Sequence, residues 1–359
     1  MTDRKLTRRN VLRTAGAAGI AGLAGCGGSG GSGGDSSGAE VTAAFVYNHE
    51  AGGLGYTQAH DNGRQAADDA FDWLETEYTE SVSGGDAARV IEQYARGDAD
   101  VVFTTNFAFM DPTYNVASEF PDTKFEHCSG FRTRENMGRY FGRLYQARYL
   151  TGIAAGRLTD ANTLGYVASI PIPEVIRQLN AFYLGAQSVN PEVTMKVRWL
   201  DTFMDPPTAT ETANALVDEG ADVINNHMST AAPVTAAADN DVWAFTYTTS
   251  MAEAGGQYYG GSALFNWGEY YKPALQSIKE GSWEADAYWR GLEDGVVSAE
   301  LGEQVPDDIV NEVEDAESRI AEGSLNIWAD TQFDGESDEF LFQQMGSYVD
   351  GIEGQSPNN

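Results

Sequence analysis

The chain has 359 residues, 54 of them acidic and 22 basic, for a formal net charge of -32. That balance excludes sequence-independent binding to nucleic acid, which needs Lys and Arg to neutralise phosphates, and adhesion to anionic lipid. The length exceeds what one hydrophobic core usually spans and suits two lobes.

The first segment is unlike the rest. Paired Arg8 and Arg9 precede an apolar run from about Val11 to Leu23, and small residues lead to Cys26 in "LAGC". This is the layout of an export signal rather than a folded element. The run is too short and too rich in Gly and Ala to span a bilayer, which takes about 20 apolar residues. The twin arginine resembles the signal of the twin-arginine export route, and "LAGC" resembles a lipobox in which cleavage frees Cys26 to carry a lipid. Residues 1–25 are thus expected to be removed. Residues 26–40 form a lipidated cysteine with a flexible Gly/Ser spacer, and residues 41–359 form the folded body, outside the cell membrane on a lipid anchor.

The body alternates between two periods. Val41 to Asn48, Asp100 to Asn106, Thr123 to Gly130, Thr163 to Ile170, Thr194 to Leu200, Ala221 to His227 and Val242 to Thr248 are short β-rich runs. Helical patterns separate them, including "YTQAHDNGRQAADDAFDWLE", "GRYFGRLYQARYLTGIAAGRL" and "PEVIRQLNAFYLGAQSV". Repeated strand and helix predict an α/β protein of two doubly wound parallel-sheet lobes. The expected division is 41–150 plus 250–285 for one lobe and 151–249 plus 286–330 for the other, with 331–359 packing back on the first. Ligands of such sheets bind beyond the carboxyl ends of the strands.

Those strand ends are rich in amides and rings. They supply Asn48, His49 and Glu50, then Tyr56 past a Gly-rich turn; Asn106 and Phe107; Pro171 to Glu174; Phe203; Asn226 to Met228; and Thr248 to Ser250. The cluster "ALFNWGEYY" adds Phe265, Asn266 and Trp267. Rings that stack on a flat ligand and amides that read its edge suit a planar heterocycle, each stack contributing roughly 0.5–1.5 kcal/mol beyond burial. No phosphate loop, His-Glu-x-x-His or Cys-x-x-Cys is found, and Gly-x-Ser-x-Gly occurs only by composition within the Gly/Ser spacer, with no strand-to-helix pattern around it. No metal or cofactor is expected. His60 reads as helix surface and Cys128 as a small buried hydrophobe.

The segments "FVYNHEAGGLGYTQAHDNGRQAADDAF", "FMDPTYNVASEFPDTKFEHCSG", "YLTGIAAGRLT", "GYVASIPIPEVIRQLNAFYLGAQSVNPEV", "ETANALVDEGADVI", "GLEDGVVSAEL" and "YVDGIEG" resemble the basic membrane protein family of lipoproteins. These are substrate-binding components of purine and nucleoside ABC importers. The resemblance runs from Val41 to about Gly354. It implies a type I periplasmic-binding-protein fold with a three-crossover hinge that closes on its ligand.

Carried over position by position, the family's stacking aromatic falls on Tyr56 and its acidic residue after the first strand near Asn48. Its Gly-Phe becomes Asn106-Phe107, its Asp-Ser-Asp becomes Thr248-Thr249-Ser250, and its lysine becomes Phe265. The lost carboxylates and lysine are the groups that hold ribose hydroxyls in nucleoside binders, and a ring from Phe265 or Trp267 would fill that volume. The resemblance therefore implies a free purine base or similar heterocycle. It would stack between Tyr56 or Phe107 and Phe203, Phe265 or Trp267, with Asn48, Asn106, His227 and Thr248 around it. A monomer that works with a permease and an ATPase is expected. A sensory lipoprotein presenting the same ligand to a chemotaxis transducer, and an enzyme acting on a base or nucleoside, remain open at this point.

The acid is dispersed along the whole body, as in "VPDDIVNEVEDAES", which marks a solvated surface and a very salty environment. Molar salt screens charges within about 3 Å and removes the self-repulsion of a highly charged fold. The thermal unfolding midpoint is expected to rise steeply from 0.1 M to 2 M KCl, measured by circular dichroism. A flat response would show that the acid does not strain the fold.

Overall fold

The computed structural model describes residues 40–355. The expected signal, Cys26 and nearly all of the spacer lie outside these residues. From the first strand, the chain runs β1 (Val41–Val46), α1 (Tyr56–Ala70), β2 (Leu74–Thr79), α2 (Ala87–Arg96), β3 (Val101–Thr104), α3 (Met110–Ala117), β4 (Lys124–Cys128) and β5 (Met137–Gly142). It continues with α4 (Leu144–Leu158), β6 (Thr163–Ala168), α5 (Pro173–Val189), β7 (Thr194–Trp199), α6 (Pro206–Asp218), β8 (Val223–Asn226), α7 (Ala232–Asp239) and β9 (Trp243–Thr248). The last third comprises α8 (Ala252–Gly255), β10 (Tyr259–Phe265), α9 (Gly268–Glu280), β11 (Ala287–Arg290), β12 (Val297–Leu301), α10 (Asp307–Ala321), α11 (Asp338–Gln343) and β13 (Ile352–Glu353).

Two sheets result. The first has the order β11-β5-β4-β3-β1-β2 and the second β12-β10-β9-β8-β6-β7-β13. Every pairing is parallel except β10 with β12. The central strands are buried on both faces, as parallel strands covered by helices must be. The two-lobed α/β architecture expected from the alternating pattern is therefore present.

The lobe boundaries differ from the expected ones. The chain crosses between lobes at Arg143, at Asn266 to Trp267 and at Gly291 to Val296. Residues 259–265 belong to the second sheet because β10 pairs directly with β9, whereas β11 returns to the first sheet beside β5. The C-terminal stretch is likewise not confined to the first lobe, although Phe342 packs on Phe141 and Trp289 there. Its β13 extends the second sheet at β7, and α11 packs on α5. The three crossings are tied to one another, Arg143 N donating to Arg290 O at 2.6 Å and Asn266 N to Val296 O at 2.9 Å.

Sequence patterning missed β5. The stretch "MGRYFG" carries two glycines and an arginine and reads as the start of the helix that follows, but the structure begins that helix only at Leu144. His60 is also not on the surface. It is fully buried, its Nδ1 lies 2.6 Å from the Tyr271 hydroxyl, and its ring stacks on Trp267 at 4.7 Å. The cause is the packing of α1 on α9, where Gly63 lets Trp267 approach; a Cβ there would sit 2.6 Å from Trp267 Cβ. Cys128 is buried in the core, as expected.

Helix α4 is buried on nearly every side and crosses α5 at backbone contact. A Cβ on Gly152 would lie 2.1 Å from Phe182 O, and one on Gly185 2.0 Å from Tyr149 O. No helix among the described residues is long and apolar enough to cross a membrane. Backbone carbonyls cannot move aside as side chains can, so Gly185→Leu is expected to cost about 3 kcal/mol or more, read as a lower midpoint in denaturant unfolding. A loss under 1 kcal/mol would contradict this crossing.

Candidate functional site

The carboxyl ends of the two sheets face a cavity of about 550 Å³ between the lobes. From the first lobe it is lined by Asn48, the turn residues His49, Glu50 and Leu54, then Tyr56, Asn106, Phe107, Ser129, Phe131 and Phe141. The second lobe supplies Ile170, Ile172, Glu174, Arg177, Phe203, Met204, Ser229 and Tyr247. Phe342 and Gln343 close it from the C-terminal stretch.

Local structure explains these positions. The Gly-rich turn after β1 is held by Ala51 N to Glu80 Oε2 at 2.8 Å and Gly52 N to Gln58 Oε1 at 2.6 Å. It ends at Gly55, whose φ of 87° suits glycine and whose amide crosses the cleft to Thr249 Oγ1 at 2.9 Å. The turn thereby delivers Tyr56 at the first residue of α1. Its hydroxyl lies 3.2 Å from the Cys128 sulfur, and burial pushes both groups up from their ordinary pKa. After β3, Asn106 Oδ1 caps the following turn by accepting from Ala108 N at 2.9 Å, which leaves Phe107 standing 54% exposed.

Leu54, Phe131 and Met204 are comparably exposed, so four of the five large apolar side chains most exposed on the described surface lie at this cleft. Concentrated exposed apolar surface marks a binding site.

The polar groups come mainly from α5. Glu174, in its first turn, is partly exposed to the cleft but enclosed by protein; burial pushes its carboxyl up to about 7, against the opposing pull of Arg177 and Gln178. Arg177 is 2% exposed, and burial brings its guanidinium down to about 10. Its Nε has no protein partner, and the same holds for the buried Oδ1 of Asn48. Both atoms belong to residues lining the cavity. Among the described residues, no group of three or more His, Cys, Asp or Glu is placed to hold a metal ion.

Residues 40–331 match the Bmp family, described as ABC transporter substrate-binding protein PnrA-like. The chain belongs to that family. Two sequence relatives extend along most of it. One, from Haloferax volcanii, is provisionally named the ABC transporter glucose-binding protein TsgA13; it is 54% identical over 324 residues, covering 90% of this chain and 83% of its own. A purine-binding protein of Brucella abortus is 34% identical over 330 residues, covering 89% and 94%. The solved structure of an ABC transporter solute-binding protein from Conexibacter woesei superposes with a TM-score of 0.67 at 22% identity, covering 80% of this chain and 98% of its own. The fold is the type I periplasmic-binding-protein fold.

The Bmp cleft gathers five of the nine positions expected to meet a ligand: Asn48, Tyr56, Asn106, Phe107 and Phe203. The other four lie behind it. His227 is fully buried, its Nδ1 2.7 Å from the Tyr166 hydroxyl and its ring 4.2 Å from Tyr247, which takes the cleft position. Thr248 is buried at φ 70°, its hydroxyl donating to Tyr247 O. Phe265 packs edge-on behind Tyr56 at 6.2 Å and Phe141 at 5.4 Å and stacks on Trp267, which is fully buried. These last two follow from β10 running into α9, which buries Phe265 and Trp267 on either side of a partly exposed Asn266. Among the residues lining the cleft, sequence reasoning missed Leu54, Phe131, Phe141, Arg177, Met204, Tyr247 and the C-terminal Phe342. Phe141 and Tyr247 stand at strand ends, Tyr247 one residue before the expected threonine, and that proximity was the signal available.

For Glu174, the folded-state pKa exceeds the ordinary carboxyl value, so the folded protein binds more protons than the unfolded chain between about pH 4.5 and 7. Ionisation in that window therefore costs stability as pH rises. Glu174→Gln is expected to gain stability relative to the native chain from pH 5 to pH 8, in paired thermal melts. An unchanged difference would mean the carboxyl ionises freely.

Proposed function

We propose that this Bmp protein captures a flat heterocycle of purine type between its lobes and delivers it to the membrane subunits of an ABC importer, held at the outer membrane face by a lipid on Cys26. The observation that carries the reading is the ring-lined cleft, with Tyr56, Phe107, Phe131 and Phe141 on one lobe, Phe203 and Tyr247 on the other, and Phe342 beside them. Sites for small ligands are mostly apolar with a few convergent polar groups. A planar base offers two faces to stack and an edge of donors and acceptors. Asn48 Oδ1, the amide nitrogen of Asn106, Glu174 and Arg177 supply complementary groups for that edge.

A free base fits better than its nucleoside. Ribose hydroxyls each need a partner once desolvated, and the cleft's carboxylates are Glu50, exposed beside the Gly-rich turn, and Glu174. At the end of β9 the resemblance puts the family's carboxylates on Thr248 and Ser250, which have none, and the preceding Tyr247 gives the cleft a ring. The name of the Brucella relative, a purine-binding protein, supports the purine class.

A hexose is the second reading, favoured by the name and 54% identity of the Haloferax relative. A sugar can lay its apolar face on a ring, but its hydroxyls all around the rim would have to be met by a lining whose exposed area is mostly apolar. Lobe closure then works by population shift, the ligand favouring the closed arrangement that both lobes line.

Calorimetric titration in molar salt with adenine, hypoxanthine, xanthine, their nucleosides and D-glucose tests this. A base bound at least tenfold more tightly than its nucleoside and than glucose is the expected result. Glucose alone binding would replace the ligand assignment and leave the family and fold untouched.

A further inference from the structure

The family match ends at residue 331, yet the stretch beyond it reaches the cleft. Along α11 and the turn after it, Leu341 and Met345 are buried in the core. Phe342 and Gln343 between them remain partly exposed and line the cavity. A segment that served only to cover the second lobe would have no need to present a ring and an amide to the space between the lobes.

The segment is held from both sides. On the second lobe, Asn180 donates to Ser347 O at 2.9 Å and accepts from Val349 N at 3.2 Å, Trp199 Nε1 donates to the Tyr348 hydroxyl at 2.7 Å, and β13 pairs with β7. Toward the first lobe, the Phe342 ring meets Phe141 at 6.0 Å and Trp289 at 5.1 Å, both edge-on, and Arg143 at the first crossing bonds Asp338 at 2.6 Å.

The cation of the cleft depends on the same segment. Arg177 Nη1 donates to Leu341 O at 2.5 Å and Phe342 O at 3.0 Å. The last carbonyls of a helix lack partners within it, so the end of α11 supplies acceptors for a guanidinium whose Nε remains unpaired.

We infer that the C-terminal segment after residue 331 is a working part of the ligand site: Phe342 forms one wall, Gln343 offers its amide to the ligand's edge, and the carbonyls of Leu341 and Phe342 hold Arg177 in place to meet it. The inference rests on the cleft being the ligand site and goes beyond it by assigning selectivity to residues outside the family match. Because Phe342 touches rings of the first lobe while its segment is anchored to the second, it also changes surroundings when the lobes move.

The test uses the full chain and three variants, Tyr56→Ala, Phe342→Ala and Gln343→Leu, titrated with adenine, hypoxanthine and D-glucose, with thermal midpoints confirming folding. Tyr56→Ala and Phe342→Ala are each expected to weaken the bound compound by about tenfold or more, the scale of losing a buried ring. Gln343→Leu, at a partly exposed position that tolerates change, is expected to alter the adenine to hypoxanthine affinity ratio by about threefold or more, the scale of one hydrogen bond. If Tyr56→Ala weakens binding while neither C-terminal variant changes affinity or ratio, this inference is overturned and the cleft reading stands. If Tyr56→Ala has no effect, the cleft reading itself falls and takes this one with it. Glucose binding that is sensitive to Phe342→Ala would overturn the purine assignment and keep the C-terminal role.

Discussion

Where α4 crosses α5, two helix backbones meet with no side chain between them. Gly152 and Gly185 make that approach possible, and any Cβ there would collide with a carbonyl oxygen. The crossing decides where both helices lie on the second sheet. Helix α5 begins at the cleft, so its first turns bring Glu174 and Arg177 there, and α4 follows the first crossing between lobes. A wider crossing would displace the cleft's charged groups from its rings. The polar chemistry of the site thus depends on a contact made well inside the second lobe.

Helix α4 also carries Arg148, fully buried and bonded to neutral groups: Asn225 Oδ1 at 2.5 Å, Thr246 O at 3.2 Å and Asn226 O at 3.3 Å. A buried cation without a carboxylate is costly, and these oriented dipoles, with the Tyr247 ring 4.9 Å away, are what offset the cost. Burial first, and Arg148 second, hold His227 well below its ordinary pKa. A neutral His227 whose Nδ1 accepts from Tyr166 and Arg148 leaves the cleft position to Tyr247. The place in the cleft lining expected for His227 is thereby taken by a ring. Outside, the acidic surface is solvated; inside, the cleft is apolar with the cation Arg177 beside it.

Legibility followed burial pattern. Most strands read from sequence carry apolar β-rich runs, as parallel strands buried on both faces need, while β7, with Lys196 and Arg198, alternates because it is only half buried. Strand β5, with its glycines and arginine, and β10, with "YGGSALF", offered no such run. Misplacing β10 shifted the lobe boundary and turned Phe265 and Trp267 from core into expected ligand contacts. That Asn48, Tyr56, Asn106 and Phe107 line the cleft was legible for a simple reason: each follows the carboxyl end of a parallel strand or the turn after it. Phe342 was not, because nothing local in "DEFLFQQ" distinguishes a ring facing a cleft from one facing a core.

From its sequence alone the chain determined its class and working end: alternating periods required two parallel sheets, and parallel sheets require the site at their carboxyl ends. Which of two neighbouring residues faces the cleft was decided only in three dimensions. Tyr247 rather than Thr248 reaches the cleft, because strand pleat and the last backbone dihedral choose the side chain's direction. Arg177 is held by carbonyls more than 160 residues later in the chain, a partnership that exists only once the C-terminal segment has been laid across α5. Local propensity carries no record of such long-range closure.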